Sequence, residues 1–334
     1  MARVSERKAD HLRIATEPAV QHDGRSGLDG VRLRHRALPG RDLDAVSLRT
    51  RLCGRALDAP LVISAMTGGT AEAEAINRRL LRAAAEHRIA LVLGSGRRLL
   101  QDEAALRTYR PDGGERPPLL LANLGAAQLA GRGGASDAER LVDLLDADGL
   151  SVHLNPLQEA VQPEGEPHFA GVLEGITAAV ARLAPRPVVV KEVGFGLDFD
   201  DVAALRDAGV ASLDVAGAGG TNWALIEGRR DARAGEVAAA FSGWGTPTAE
   251  ALADARAAAP GLPLIASGGI RDGVDVAKCL ALGATAAGLA APLLAAAQAD
   301  RAGDAIAVLI RQLRIATWLA GAPSAQELGR EHLR

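Results

Sequence analysis

Leu150-Ser151-Val152-His153-Leu154-Asn155-Pro156-Leu157-Gln158-Glu159 is the stretch on which the fold turns. An apolar run stops at polar residues and gives way to a helical pattern, as when a barrel strand delivers side chains to its C-terminal mouth, where such enzymes keep their chemistry. Imidazole and amide donate hydrogen bonds while a carboxylate binds a hard cation, so His153, Asn155, Gln158 and Glu159 suit an anionic substrate held through a divalent metal. A helix cap explains part of the cluster, with Asn155 as N-cap and Pro156 at the first helical position. Gln158 and Glu159 are not needed for a cap.

Outward from this stretch, apolar runs of strand length alternate with helix-like segments: Pro60 to Met66, Ala90 to Leu93, Pro118 to Ala122, Gly149 to Leu154, Pro187 to Val190, Ser212 to Val215, Pro263 to Ala266 and Ala284 to Leu289. Parallel strands are buried on both faces and read as near-continuous apolar stretches, so this alternation predicts the α/β class and a closed (β/α)8 TIM barrel. A doubly wound open sheet is the competing architecture. Against it, no G-x-G-x-x-G follows the first run, and polar or Gly-rich residues follow nearly every run, as loops sharing one mouth require. The chain then divides into an arginine-rich N-terminal extension (1–59), the barrel (60–320) and a C-terminal tail (321–334). The long connection from Gly219 to Pro247, with Trp223 and Trp244, has the length of a lid or binding loop.

Of 334 residues, 48% are apolar and the formal net charge is −3, which suits one large globular domain such as an α/β barrel, or two smaller ones. Aromatic residues make up only 2% and the arginines form no single-sign block, so stacking platforms and basic tracts for nucleic acid are both missing. No apolar run is long enough to span a bilayer, and the charged N-terminus lacks a signal-peptide core. Cys53 and Cys279 lack metal-ligand spacing; Cys279 sits in the helical pattern Val276-Ala277-Lys278-Cys279-Leu280 and reads as a buried packing residue. A reducing cytoplasm is the expected location.

Ser267-Gly268-Gly269-Ile270-Arg271 follows the seventh run and Ala290-Ala291-Pro292 the eighth, the two loops that commonly hold a phosphate in this barrel. Backbone N–H groups there approach an anion closely, and a helix N-terminus adds a favourable dipole. A bare Gly-Gly turn is the plain alternative, and its place after the seventh run decides against it. Around the same mouth, Ser64, Ala65, Met66 and Thr67 follow the first run, Ser95 the second, Asn123 the third, Lys191 the fifth and Thr221 the sixth. Together these residues are placed to ring a flat heterocycle. Lys191 is a charge inside a buried strand, which calls for an anionic partner, and beside an isoalloxazine it would stabilise the negative charge that a reduced ring carries near N1. An ion pair with Glu192 is disfavoured because strand neighbours point to opposite faces.

Further segments complete a set: Arg7-Lys8-Ala9-Asp10-His11, Ala65-Met66-Thr67-Gly68-Gly69, Gly94-Ser95-Gly96-Arg97, Ala122-Asn123-Leu124-Gly125-Ala126, His153 to Glu159, and Pro163-Glu164-Gly165. They continue with Val190-Lys191-Glu192-Val193-Gly194-Phe195-Gly196, Gly219-Gly220-Thr221-Asn222-Trp223, Trp244-Gly245-Thr246-Pro247-Thr248 and Ser267 to Arg271. In this order and spacing the chain resembles the type 2 isopentenyl-diphosphate isomerases, FMN-dependent enzymes of isoprenoid biosynthesis. It departs from their common pattern at Ala9-Asp10, Gly96, Glu166-Pro167 and Ala216.

The resemblance implies reversible conversion of isopentenyl to dimethylallyl diphosphate, an allylic proton shift without net redox change. It implies reduced FMN, with NADPH as the usual reductant, and Mg²⁺ held by Glu159. Flavin N5 is implied in acid–base work with Gln158 near the alkene, and His153 and Asn155 complete the catalytic cluster. Arg7, Lys8, His11, Arg97, Gln158 and Trp223 are implied at the substrate. Ser64, Ala65, Met66, Thr67, Ser95, Asn123, Lys191, Thr221, Gly268, Gly269, Ile270, Arg271, Ala290 and Ala291 are implied at the cofactor. The expected partners are a small-molecule diphosphate and further copies of the chain, as a tetramer or octamer. FMN-dependent 2-hydroxy-acid oxidases share the pattern from Gly268 to Lys278. They need a His base followed by Gly-Gly-Arg after the sixth strand, where this chain reads Ala216-Gly217-Ala218-Gly219-Gly220-Thr221. A non-catalytic flavoprotein or binding barrel is the other class, and it needs neither Gln158 nor Glu159.

Overall fold

The computed structural model describes residues 8, 10–111 and 116–334; Arg7 and Ala9 of the N-terminal motif lie outside the described residues. Two short strands come first, β1 (Thr50–Leu52) and β2 (Arg55–Leu57), an antiparallel hairpin turned by Cys53 and Gly54 at φ 49° and 76°. Positive φ at both central residues matches the twist of the flanking strands. The apolar runs then form β3 (Leu61–Ile63), β4 (Ala90–Val92), β5 (Leu119–Gly125), β6 (Gly149–His153), β7 (Val188–Lys191), β8 (Ser212–Asp214), β9 (Leu264–Ser267) and β10 (Ala286–Leu289). They close in the order β10-β3-β4-β5-β6-β7-β8-β9, all parallel. This is the (β/α)8 barrel, with helices between successive strands.

Burial explains why the strands are legible and which end is open. Every strand residue of the barrel is buried except His153, which ends β6 half-buried at the mouth. Val62, Val92, Leu121, Val189 and Ile265 pack inside the barrel against Leu52 and Leu57 of the hairpin. The hairpin therefore stoppers the N-terminal end, and side chains one strand repeat further on project into an open C-terminal end.

The N-terminal segment crosses that open end. Gln21 pairs with Thr221, His22 N donates to Gly220 O (2.7 Å) and Asn222 N donates to Val20 O (2.8 Å). Further along, Leu33 pairs with Leu333 and Ser47 with Ser324, so the extension lies against the C-terminal residues. The connection from Gly219 to Pro247 is not one lid. It folds into the helices Trp223–Arg230 and Ala232–Ala239; Trp223 faces the mouth, whereas Trp244 is 61% exposed and borders a separate apolar cavity outside the barrel. Cys279 is fully buried in the helix Gly273–Ala281, as its pattern indicates. Among the described residues no helix is long and apolar enough to cross a membrane.

Candidate active site

Two cavities meet at the open end. The larger, about 410 Å³, is lined by Ser64, Ala216, Thr221, Ser267, Gly268, Gly269, Ile270, Arg271, Ala290 and Ala291. The smaller, about 130 Å³, is lined by Lys8, His11, Thr67, Ser95, Arg97, Asn123, His153, Asn155, Gln158 and Glu159. Ala65, Met66, Lys191, Val193 and Trp223 line both, so the cavities adjoin through a common wall.

The larger cavity has the parts of a phosphate site at one end. Gly268 and Gly269 adopt φ 102° and 70°, and a Cβ on them would overlap the carbonyl oxygens of Gly217 and Gly219. Only glycine lets these two loops lie so close. Thr248 Oγ1 donates to Gly268 O (2.6 Å), and Arg271 donates to Gly269 O (3.2 Å) and Gly219 O (3.3 Å). The helix Ala291–Gln298 begins at the cavity wall with Pro292 in its first turn and no side-chain cap, so its N-terminal N–H groups are placed for an anion. Ser64 Oγ and Thr67 Oγ1 are buried with no hydrogen-bond partner among the described residues. Buried hydroxyls are nearly always satisfied, so two orphans on adjoining cavity walls fit a polar heterocycle such as a flavin.

Hydrogen bonds organise the smaller cavity. Asn155 heads the helix Pro156–Val161, yet its side chain does not cap it. Its Nδ2 donates instead to Gln158 Oε1 (3.1 Å) and Glu159 Oε1 (3.0 Å). Gln158 Nε2 donates to Glu227 Oε1 (2.8 Å), and Glu159 Oε2 accepts from Glu166 N (2.7 Å). Glu227 is completely buried and also meets His11 Nε2 (2.9 Å) and Arg230 Nη1 (2.6 Å). His11 packs edge-on against Trp223, with ring centroids 5.3 Å apart. Lys8 Nζ donates to Gly68 O (2.7 Å), Ser95 O (3.0 Å) and Tyr109 Oη (2.8 Å), while Arg97 pairs with Glu166 Oε1 (2.6 Å). Both cations line the cavity, but with donors turned onto the protein's own oxygens. Lys191 Nζ donates to Glu192 O, whereas the Glu192 carboxylate turns away and accepts from the N–H groups of Val193, Gly194 and Phe195 (2.6–2.7 Å). No Lys191–Glu192 ion pair forms among the described residues.

Burial, with Lys191 and Lys8 nearby, drops the His153 imidazole to about 3, so it is neutral in the physiological range. Its Nδ1 lies 2.6 Å from Asn123 Oδ1. Burial alone would raise Glu227, but hydrogen bonds from His11, Gln158 and Arg230 hold it down at about 2. The His153 shift has a consequence for stability. The unfolded chain takes up this proton near 6.5 and the folded chain only near 3, so His153 destabilises the fold progressively as pH falls between those values. His153→Gln is therefore expected to flatten the loss of Tm between pH 6.5 and 4 relative to the parent chain. Comparing the two proteins cancels the opposite contribution of Glu192, which burial pushes up to about 7. Parallel Tm–pH curves would show that the ring is not buried as a neutral group.

Sequence comparison agrees with this geometry. Residues 173–334 match the profile of FMN-dependent dehydrogenases. Isopentenyl-diphosphate delta-isomerase of Cronobacter sakazakii is 47% identical, covering 97% of this chain and 95% of that protein. The proteins of the same name from Xanthobacter autotrophicus (48%; 97% and 96%) and Stutzerimonas stutzeri (49%; 94% and 92%) are equally similar. The chain belongs to the FMN-dependent, type 2 isopentenyl-diphosphate delta-isomerases. In shape the isomerase is similar to mandelate oxidase with (S)-2-phenylpropionate (TM-score 0.64, 21% identity, 100% of this chain and 97% of that one). It is also similar to a flavocytochrome b2 variant with benzoylformate (TM-score 0.70, 19% identity, 98% and 82%). At such identities these two likenesses speak for the fold alone.

The structure adds residues to the isomerase site that motif reading passes over. Glu227, which stands behind Gln158, is the chief one; Gln128, Gln162 and Val193 line the smaller cavity itself. Glu227 lies four positions after Trp223 on one helix, so the two share a face, which is the signal in the sequence that points to it. Gly96 is explained by packing, since a Cβ there would overlap the buried Leu141 side chain. Ala216 lines the larger cavity at φ 38° without a hydroxyl to offer a phosphate. Among the described residues no three His, Cys, Asp or Glu side chains converge as a metal site. Among the described residues that line the smaller cavity Glu159 is the one carboxylate, which fits a divalent cation only if groups other than protein carboxylates complete its shell.

Proposed function

We propose that this chain interconverts isopentenyl and dimethylallyl diphosphate, with reduced FMN in the larger cavity, Mg²⁺ on Glu159 and NADPH as the source of reducing equivalents. What carries this reading is one juxtaposition. A small cavity, polar at Gln158, Glu159 and His153 and apolar at Met66, Val193 and Trp223, shares a wall with the flavin-sized cavity. Reduced FMN, when bound, supplies an electron-rich ring that exchanges a proton with carbon.

The protein's part is binding, orientation and exclusion of water. Met66, Val193 and Trp223 cover the hydrocarbon, while Asn155 and Glu227 grip the Gln158 amide from either end. Diphosphate oxygens compete with Glu166 for Arg97 and with Gly68 O, Ser95 O and Tyr109 for Lys8, and His11, His153 and Asn155 complete the clamp together with Arg7 of the N-terminal motif. Each charge-assisted bond so formed contributes roughly 1.5–3 kcal/mol. In the structure Asn123 Oδ1 accepts from the Nδ1–H of the neutral His153 ring; donating to an anion from Nε2 requires the other tautomer with the Asn123 amide turned over. Glu159 would hold Mg²⁺, whose charge would offset that of the diphosphate. Assembly into a homo-oligomer belongs to the same proposal.

The oxidases of similar shape provide the contrast. No imidazole occurs from Ala216 to Thr221, and the histidines lining the two cavities are His11 and His153. The experiment is an anaerobic spectral titration. Reduced enzyme is expected to convert isopentenyl diphosphate, while lactate, glycolate or mandelate leaves the oxidised flavin spectrum unchanged. Bleaching by a 2-hydroxy acid at a catalytically useful rate would overturn the isomerase reading.

A further inference from the structure

Lys191 ends β7 on the wall common to both cavities, and its register partner on β8 is Asp214. Register partners in parallel strands project to the same side, so both side chains enter the barrel at one level. Asp214 is only 4% exposed and lines neither cavity, which places it beneath the floor. Its Oδ1 accepts from Ser267 Oγ on β9 (2.6 Å) and from Ala216 N (3.2 Å), and both of those residues do line the larger cavity. Three neighbouring strands thus carry an ammonium, a carboxylate and a hydroxyl under the ring and phosphate regions of one cavity. A buried carboxylate costs several kcal/mol unless it is compensated. Burial pushes Asp214 up, and the charge of Lys191 is the first of the influences that pull it back, ahead of Ser267 and Ala216.

We propose that Asp214 is a positioning residue for the cofactor: it is the buried counter-charge of Lys191 and, through that ammonium, limits how strongly the site stabilises the reduced, anionic ring. The inference rests on FMN occupying the larger cavity, which its absorbance reports without any turnover. Removing the carboxylate leaves the ammonium uncompensated, so the reduced form gains. Without the ammonium, Asp214 has lost its cation and takes up a proton, so an amide in its place changes nothing.

The test is dye-equilibrated reduction of the FMN-loaded enzyme. At a fixed dye potential Asp214→Asn is expected to raise the ratio of reduced to oxidised flavin about tenfold, about 30 mV for a two-electron couple. In a Lys191→Met background the same substitution is expected to change that ratio less than about twofold, the mark of coupling in a double-mutant cycle. Ser267→Ala, which deprives the carboxylate of one donor and favours its neutral form, is expected to shift the ratio the same way by a smaller amount. This second variant decides the matter if Asp214→Asn does not fold or hold FMN. No change, a fall, or an equal shift with and without Lys191 overturns the proposal. Isomerase activity enters none of these readings, so failure here is distinct from failure of the functional proposal.

Discussion

Glu159→Gln is expected to fold, retain FMN and lose isomerisation by roughly 10²–10³-fold, the loss of about 3–4 kcal/mol of transition-state stabilisation that a misplaced divalent cation entails. The amide still accepts from Asn155 Nδ2, which lies 3.0 Å from the carboxylate, so the local network survives in part. On the other side its NH₂ faces the Glu166 N–H, now 2.7 Å from Oε2, and two donors in contact cost about 1–3 kcal/mol of stability unless the loop shifts. The measurements are flavin absorbance, melting temperature, and turnover with Mg²⁺ or with EDTA. The parent enzyme in EDTA is expected to match the variant in Mg²⁺, because removing the ion and removing its anchor are one loss seen twice. Full turnover of the parent enzyme in EDTA would remove Glu159 from its assigned role.

The barrel is legible because each of its strands is buried on both faces and therefore written as a short unbroken apolar run. The strand ends are legible for a related reason: a polar residue at the last position of an apolar run, such as His153 or Lys191, marks the mouth. Gly268 and Gly269 can be read as a phosphate loop only by their place after the penultimate strand. The overlap that forbids a side chain there involves Gly217 and Gly219, some fifty positions earlier. Contacts made across the fold are illegible. Asn155 reads as a helix cap, and its choice of Gln158 and Glu159 as partners depends on side-chain directions that spacing leaves open. Glu227 reads as one more charge on an amphipathic helix, and it becomes the anchor of Gln158 only when β6 and β8 bring their following helices together. Lys8 and Arg97 read as cations waiting for an anion, although carbonyls and Glu166 from distant loops already engage them.

That anchoring of Gln158 bears on the remaining large effect. Gln158→Ala is expected to lower kcat by roughly 10²–10⁴-fold, the range of a lost proton-handling group, while KM and the binding of inorganic diphosphate change less than about threefold. The split follows from where the amide stands. One end is held by Asn155 and the other by Glu227, and its neighbour Glu159 carries the proposed tie to the diphosphate, so removing the amide spares the anion clamp. Glu227→Gln then separates two roles for the carboxylate behind it. If Glu227 only orients the amide, a glutamine presenting its oxygen to Gln158 Nε2 keeps most of kcat. If its charge is used when the proton moves, kcat falls as far as in Gln158→Ala. The ionised state that burial opposes and three donors maintain favours the second outcome. An equal rise in KM and loss of diphosphate binding in Gln158→Ala would place the amide in the clamp and leave the proton without a protein group to direct it.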